Sequence, residues 1–530
     1  MRATALWVVV VIAGNGAGAQ PIVIEGVVPV AGGDFFDVPF DVPEGIREIQ
    51  VSHAPIDPVD VLDWGLFAPD GFRGYGGGNL EDIVVGESAA SRGYLPGPIA
   101  AGTWVISVGK ARLASASPGY RVAIVLRSEP TLTPALDRTS WREPAPLDRA
   151  SRFFAGDFHV HSEDSGDADA TLDDIAAMAI TRALDFVVIT DHNTTSHVDR
   201  LLSAQDRAGG SLLLVPGVEL TTYAGHATGF ASTSYVDHRV GFAGNTIEEA
   251  VAAISQSGAL FSINHPTLDL GSACIGCAWT HPDPEVGTLH GVEIQTGRTL
   301  LFTDAAIVFW EELLAAGHHV AALGGSDDHE AGQGSAAIGE PTTLVFAADL
   351  SVDSLRIGIL HSRTVVKMQG PNDPMIVLDT VPPRNGDTAI GVDVTITATV
   401  TGGVGKTFRF IEDGLGVAVP APITTDPQSF ALERTPDASG TKRMRAEVAD
   451  LDGAPRTLTS YVWLRAPPAG AGCACGSSAR ASVPGVLAWL ALLWHIWRTV
   501  RSAARGTRAR TPTCAPFVRP RRRSDRPART

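Results

Sequence analysis

The stretch "GDFHVHSEDSGD", residues 156–167, sets His159 and His161 one residue apart amid four acids, Asp157, Glu163, Asp164 and Asp167. The run "RFFA" leads into it. An apolar run passing into alternating histidines predicts the end of a β-strand. Residues i and i+2 of a strand point to one face, so these two imidazoles can grip one object from the same side.

Working outward, the same arrangement recurs. "LDFVVIT" leads to Asp191 and His192, "SLLLVPGVEL" carries Glu219, "GALFSIN" leads to His265, and "HVAALGGS" leads to Asp327 and His329. "LHGVEIQ" reads as a further strand, and His226 follows Glu219 by seven residues. Helical stretches lie between, two of them opening with capping-box pairs, Thr171 with Asp174 and Thr246 with Glu249. Strand and helix alternating at this spacing predict an α/β fold with a parallel sheet or barrel over residues 151–370. In such folds functional groups collect at the carboxyl ends of strands. Mixed imidazole and carboxylate donors suit zinc, manganese or iron better than calcium or magnesium. Nine candidates exceed one tetrahedral site, so two or three divalent ions are expected.

The 530 residues exceed one ordinary domain. Net charge is −17; the last 33 residues, with eleven arginines and the single acid Asp525, contribute +10, leaving the rest near −27. So acidic a body lacks the basic footprint that long nucleic acid requires. Residues 1–19 carry an early arginine, an apolar core and a small-residue end at "AGA", the pattern of an export signal. Residues 20–126 alternate at period two, as in Val38, Phe40, Val42 and Tyr120, Val122, Ile124, Leu126, predicting a β-sandwich to which no chemistry is assigned. Residues 127–150 are rich in proline and charge and read as a linker. Residues 371–466 return to β alternation and read as an immunoglobulin-like β domain.

Residues 467–530 hold Cys473 and Cys475, a short apolar run from Val483 to Trp497, and then the arginines. The run is shorter than the ~20 residues that span a bilayer comfortably, but the flanking charge follows the positive-inside pattern. This segment resembles the C-terminal sorting tag of myxobacterial exported proteins. The resemblance implies a chain anchored to the cell envelope, or cleaved and displayed on the surface, and handled by sorting or processing machinery.

The ordered motifs "HVH", "TDH", "GVE", "NHP" and "DDH" resemble those of the PHP (polymerase and histidinol phosphatase) metallohydrolases. That resemblance implies a distorted (β/α)7 barrel with a two- or three-metal centre. It makes His159, His161, His192, Glu219, His265, Asp327 and His329 metal ligands. "HSEDSGDADATLDDIA" and "GHATGF" resemble the carbaryl-hydrolase-like branch, which adds His226 as a ligand. Asp167 stands where some members have histidine, so it is expected to ligate through oxygen or to support a ligand. Asp191 is expected to bind metal or to orient a neighbour. The activity implied is hydrolysis by a metal-activated water, with His226, Asp167 or Asp191 shuttling a proton. A small phosphoester is the first substrate class. Carboxylic esters or carbamates, a nucleotide phosphatase or 5′-3′ exonuclease, and a non-catalytic envelope binding protein are the alternatives. The domain has few cations, Arg298 among them as the candidate substrate contact. Cys274 and Cys277, in "CIGC", are expected to form a local disulfide in an exported protein.

Overall fold

The computed structural model describes residues 8–11, 21–334 and 336–468. The expected export signal, apart from Val8–Val11, and nearly all of the expected C-terminal tag, including Cys473 and Cys475, lie outside the described residues. Val8–Val11 pair as a strand with Ile22–Glu25. Among the described residues no helix is long and apolar enough to cross a membrane.

The central element is a curled sheet of seven strands: β1 (Arg152–Val160), β2 (Phe186–Ile189), β3 (Leu213–Thr222), β4 (Gly225–Phe230), β5 (Leu260–Ile263), β6 (Gly291–Thr296) and β7 (Ala321–Gly325). Neighbours in the chain are neighbours in the sheet. All pairings are parallel except those of β4, which returns antiparallel from β3 and runs antiparallel to β5. The two ends of the curl meet where the Asp327 N–H donates to the His159 carbonyl at 2.8 Å and the His161 N–H to the Asp328 carbonyl at 2.9 Å.

Four helices serve these seven strands: α1 (Leu172–Thr181), α2 (Leu201–Arg207), α3 (Ile247–Gln256) and α4 (Thr303–Ala315). The α/β class is as expected, but strict (β/α)7 alternation is not what forms. The β3–β4 connection is a tight hairpin, and β5 leads to β6 through an irregular loop with a single short 3-10 turn, Gly271–Ala273. Both capping boxes form as read, Thr171 with Asp174 opening α1 and Thr246 with Glu249 opening α3. Each satisfies backbone N–H groups that the first helical turn leaves without partners. The inward faces of α1 and α3 bury Ile175, Ala179, Val251 and Ile254 against the sheet.

Residues 21–127 form two facing sheets, of five and four strands counting Val8–Val11, around a core containing Trp64, Trp104 and Ile49. This sandwich packs on the rim of the curl. Phe72 stacks on Tyr235 with ring centroids 3.6 Å apart, and the Arg239 guanidinium lies over Phe67. The segment 127–150 has little regular structure but is laced down: Thr131 hydrogen-bonds Glu48, and Arg138 donates to the Ser196 carbonyl and pairs with Asp199. Beyond the curl, Thr364–Lys367 pairs with Pro455–Thr459, so one hydrogen-bonded sheet continues into the C-terminal β region. There it faces a three-stranded sheet, Met375–Val381, Val394–Thr401 and Gln428–Arg434, across a core of Ile396, Phe408 and Ala446.

His53 is buried in the N-terminal sandwich with its ring 4.7 Å from Trp64 and its Nδ1 without a partner. Burial pushes its pKa down from 6.5 to about 4. The folded state therefore binds this proton more weakly than the unfolded chain, so its contribution is intact above the unfolded pKa and is lost as pH falls from about 6.5 to about 4. Urea unfolding across that window should show a loss of up to ~3 kcal/mol that is absent in His53→Leu.

Candidate metal centre

Four of the five motifs lie at or just beyond the end of a strand of the curl, the Gly217–Glu219 motif lies within β3, and together they meet at one rim. In β1, His159 and His161 share a face while Phe158 and Val160 pack into the hydrophobic core. The exit of β2 supplies His192, and β3 supplies Glu219. β4 starts at the rim where the parallel strands finish, which brings His226 opposite Thr221 in the hairpin and explains a ligand candidate that follows no apolar run. The exits of β5 and β7 supply His265, Asp327 and His329. His265 and Asp327 have positive φ, +27° and +54°. Such backbone costs on the order of 1–3 kcal/mol per non-glycine residue and concentrates at functional sites.

Glu219 is the hub. It is fully buried, and its Oε1 lies 3.2 Å from His159 Nε2, 3.3 Å from His265 Nε2 and 3.4 Å from His226 Nδ1. Its Oε2 lies 2.8 Å from His192 Nδ1 and 3.5 Å from His161 Nε2. Asp327 Oδ1 is 3.3 Å from His159 Nε2 and 3.2 Å from His161 Nε2. Asp167 extends from the loop after β1 with Oδ2 3.4 Å from His192 Nε2 and 3.7 Å from His329 Nε2. Among the described residues four groups have donor atoms close enough to share an ion: His159, His161 and Asp327; His159, Glu219 and His265; His161, His192 and His329; and His226, His265 and Cys277, whose sulfur is engaged in the disulfide.

The donor chemistry fits divalent cations. Nε2 of His159, His161 and His226 and Oε2 of Glu219 are buried without hydrogen-bond partners, a costly state for polar atoms unless something else satisfies them. Burial alone would push the Glu219 carboxyl up, but the imidazoles of His159, His192 and His226 hold it well below the usual range. Burial, with His329 and His192 close by, drives His161 down to about 3. Burial pushes His226 the same way, whereas for His159 and His192 the neighbouring carboxylates of Glu219, Asp327 and Asp167 outweigh burial and raise the pKa, holding protons that a bound divalent ion would displace.

A further set of residues aims these donors, and the sequence reading passed over it. Glu293, on β6, holds His159 Nδ1 at 3.0 Å, Ser165 Oγ holds His161 Nδ1 at 2.8 Å, and Thr221 Oγ1 holds His192 Nδ1 at 2.7 Å. The Asn264 amide donates to Glu219 Oε1 at 2.8 Å. Such partners fix the orientation and tautomer of a ligand. Only Glu293 left a signal, an acid inside a strand that is otherwise buried. Asp191 sits behind the rim: it accepts from Ser162 N at 2.6 Å and Ser162 Oγ at 2.7 Å, and His197 Nδ1 lies 2.7 Å away. Both carboxylate oxygens are engaged and the residue is fully buried, and its contacts brace the loop that carries the β1 ligands. Arg298 is half-exposed and paired with Glu340, and it does not line the cavity over the donors. Cys274 and Cys277 are bonded to each other.

The rim therefore gathers nitrogen and oxygen donors able to hold divalent metal on a curled α/β sheet. Consistent with this, residues 157–264 match the PHP domain, a span that covers His159 to Glu219 and His226. Among solved structures the chain is similar to a two-domain protein of Bacteroides vulgatus containing a predicted PHP-like metal-dependent phosphoesterase (20% identity, 62% of this chain and 100% of that chain, TM-score 0.36). It is also similar to an amidohydrolase from Chromobacterium violaceum (16% identity, 34% of this chain and 90% of that chain, TM-score 0.24). No curated protein matches the chain.

Two substitutions test the arrangement. β7 passes β1 so closely that a Cβ on Gly325 would overlap the His159 side chain and lie 2.9 Å from its backbone nitrogen. Gly325→Ala should cost ~1–3 kcal/mol in urea unfolding and reduce bound metal. Glu293→Gln keeps the volume but weakens the brace on His159, and metal titration should show ~10–100-fold weaker binding.

Proposed function

We propose that this chain is a metal-dependent hydrolase of PHP type that cleaves a small phosphoester. The observation that carries this reading is Glu219 set within 3.5 Å of five imidazole nitrogens, with its own Oε2 and the Nε2 atoms of His159 and His161 buried without hydrogen-bond partners. His159, His161, His192, Glu219, His226, His265, Asp327 and His329 would hold two or three divalent ions, with zinc, manganese or iron matching the donor set. Such ions, when bound, supply a water acidified toward pH 7 and positive charge for an ester oxygen.

The chain's own residues provide the rest. The donors line a cavity of about 740 Å³, sized for a small molecule. Asp167, with its side chain 60% exposed at the cavity edge, can accept a proton near His192 and His329. The unpartnered Nε2 of His226 could take the same part only where His226 is not itself a ligand. No lysine or arginine lines the cavity among the described residues, which disfavours a polynucleotide or a nucleotide with several phosphates. That same feature supports the second reading, hydrolysis of a carboxylic ester or carbamate. We further propose, from the terminal segments, that the enzyme is exported and anchored to the envelope.

Metal analysis of the purified chain, paired with assays on p-nitrophenyl phosphate and p-nitrophenyl acetate, tests the reading. Two or more metals per chain with phosphate-ester turnover are expected. His159→Ala and Asp327→Ala should each lower metal content and abolish turnover. Full activity in either variant without bound metal would sink the proposal, and metal with acetate turnover alone would select the second reading.

A further inference from the structure

The cavity over the metal donors is not made by the curl alone. One wall comes from the N-terminal sandwich: Val61, Asp63, Tyr75 and the glycines Gly76, Gly77 and Gly78 face the rim. The junction is built. The Asp164 carboxylate, on the loop that carries Asp167, accepts from the Gly93 N–H at 3.0 Å. The Asn79 amide donates to the Gly166 carbonyl at 2.8 Å, and the Thr194 hydroxyl to the Gly93 carbonyl at 2.8 Å. Gly166, at φ +85°, packs so tightly that a Cβ there would stand 2.7 Å from the Gly76 carbonyl oxygen. The sandwich thus fixes the loop bearing Asp167.

At the centre of this wall stands Asp63, a buried carboxyl in a domain to which the sequence assigned no chemistry. Tyr223, on the β3–β4 hairpin of the curl, donates its hydroxyl to Asp63 Oδ2 at 2.6 Å. Tyr75 brings a second hydroxyl within reach of both Asp63 and Asn193. Asp63 Oδ1 remains on the side of Gly78, 3.6 Å from where a Cβ on that glycine would stand. Among the described residues no guanidinium or ammonium lines the cavity beside Asp63. Leu268, Leu270 and Ile275 close the cavity from the β5–β6 loop.

A carboxylate oxygen, two phenol hydroxyls and bare glycine backbone make a surface that accepts hydroxyl protons. With no cation in the lining, it offers nothing to a second anionic group. Burying an ionised phosphate there would carry the large penalty of an unpaired charge. We propose that the N-terminal sandwich completes the active site as the leaving-group subsite, with Asp63, held by Tyr223 and Tyr75, accepting a hydrogen bond from an uncharged, hydroxyl-bearing alcohol such as a polyol or sugar. This rests on the hydrolase reading above. The enzyme reads its leaving group through a domain outside the metal-bearing curl, and Gly78, where any side chain would stand beside Asp63, keeps that group's space open.

The test uses the full chain loaded with metal and two leaving alcohols, glycerol and p-nitrophenol, each as its phosphate and as its acetate ester. Asp63→Asn removes the charged acceptor, and Gly78→Val, on the wall facing it, fills the subsite. Both are checked for metal content and melting temperature. The ratio of kcat/KM for the glycerol ester to that for the p-nitrophenyl ester should fall tenfold or more in each variant, chiefly through KM, with metal content retained. Because the ratio is read in either ester series, acetate turnover alone would overturn the phosphoester reading and leave the subsite standing. An unchanged ratio in folded, metal-loaded Gly78→Val would overturn the subsite. So would a selective loss of ethanolamine phosphate turnover rather than glycerol phosphate turnover in Asp63→Asn, since Asp63 would then recognise a cation. No turnover of either series by the metal-loaded parent chain would overturn both readings.

Discussion

One buried carboxylate organises this protein. Glu219 sits with five imidazole nitrogens within 3.5 Å, delivered from β1, β2, β4 and β5. An ionised carboxylate cannot be buried without compensation, and here the imidazoles of His159 and His192, raised toward their cationic forms by the carboxylates around them, supply it. The arrangement is stable only if cationic charge comes with it. That requirement links the fold to the chemistry: the same burial that makes Glu219 expensive suits the rim to divalent ions, whose charge would take the place of the protons.

The rest of the structure serves to keep those donors converged. The curl closes through backbone bonds between β1 and the exit of β7, and Gly325 is the residue that permits the approach. The hairpin that turns β4 antiparallel brings His226 back to the rim and places Tyr223 against the sandwich. Behind the rim, Glu293, Ser165, Thr221 and Asn264 aim the donors, while Asp191 ties Ser162 to His197. Positive φ at His265 and Asp327 stores strain where ligand direction matters most.

The β region that the sequence left without chemistry changes character in three dimensions. A sandwich tethered by a flexible linker would be free to move. Here residues 127–150 are pinned at both ends, and the sandwich contributes a carboxylate to the cavity wall. At the other side the β region is joined to the curl by continuous strand pairing rather than by loose contact. It is further braced by Arg445, which pairs with Glu311 on α4 and with Glu447.

What the sequence determined by itself is local: strand runs, capping boxes and the period-two placement of His159 and His161. These follow from short-range geometry, in which side-chain direction is fixed by position along one element. It also supplied the donor set, because histidines and acids repeated at strand ends have no packing reason to be there. The tertiary structure decided everything that depends on distance between segments. Arg298, plausible after a strand, is claimed by Glu340, and Asp191, beside a ligand, is claimed by Ser162 and His197. Glu293 and Asp63 gained their roles only when β6 faced β1 and the sandwich met the hairpin. Such roles rest on contacts between residues more than a hundred positions apart, and no periodicity records them.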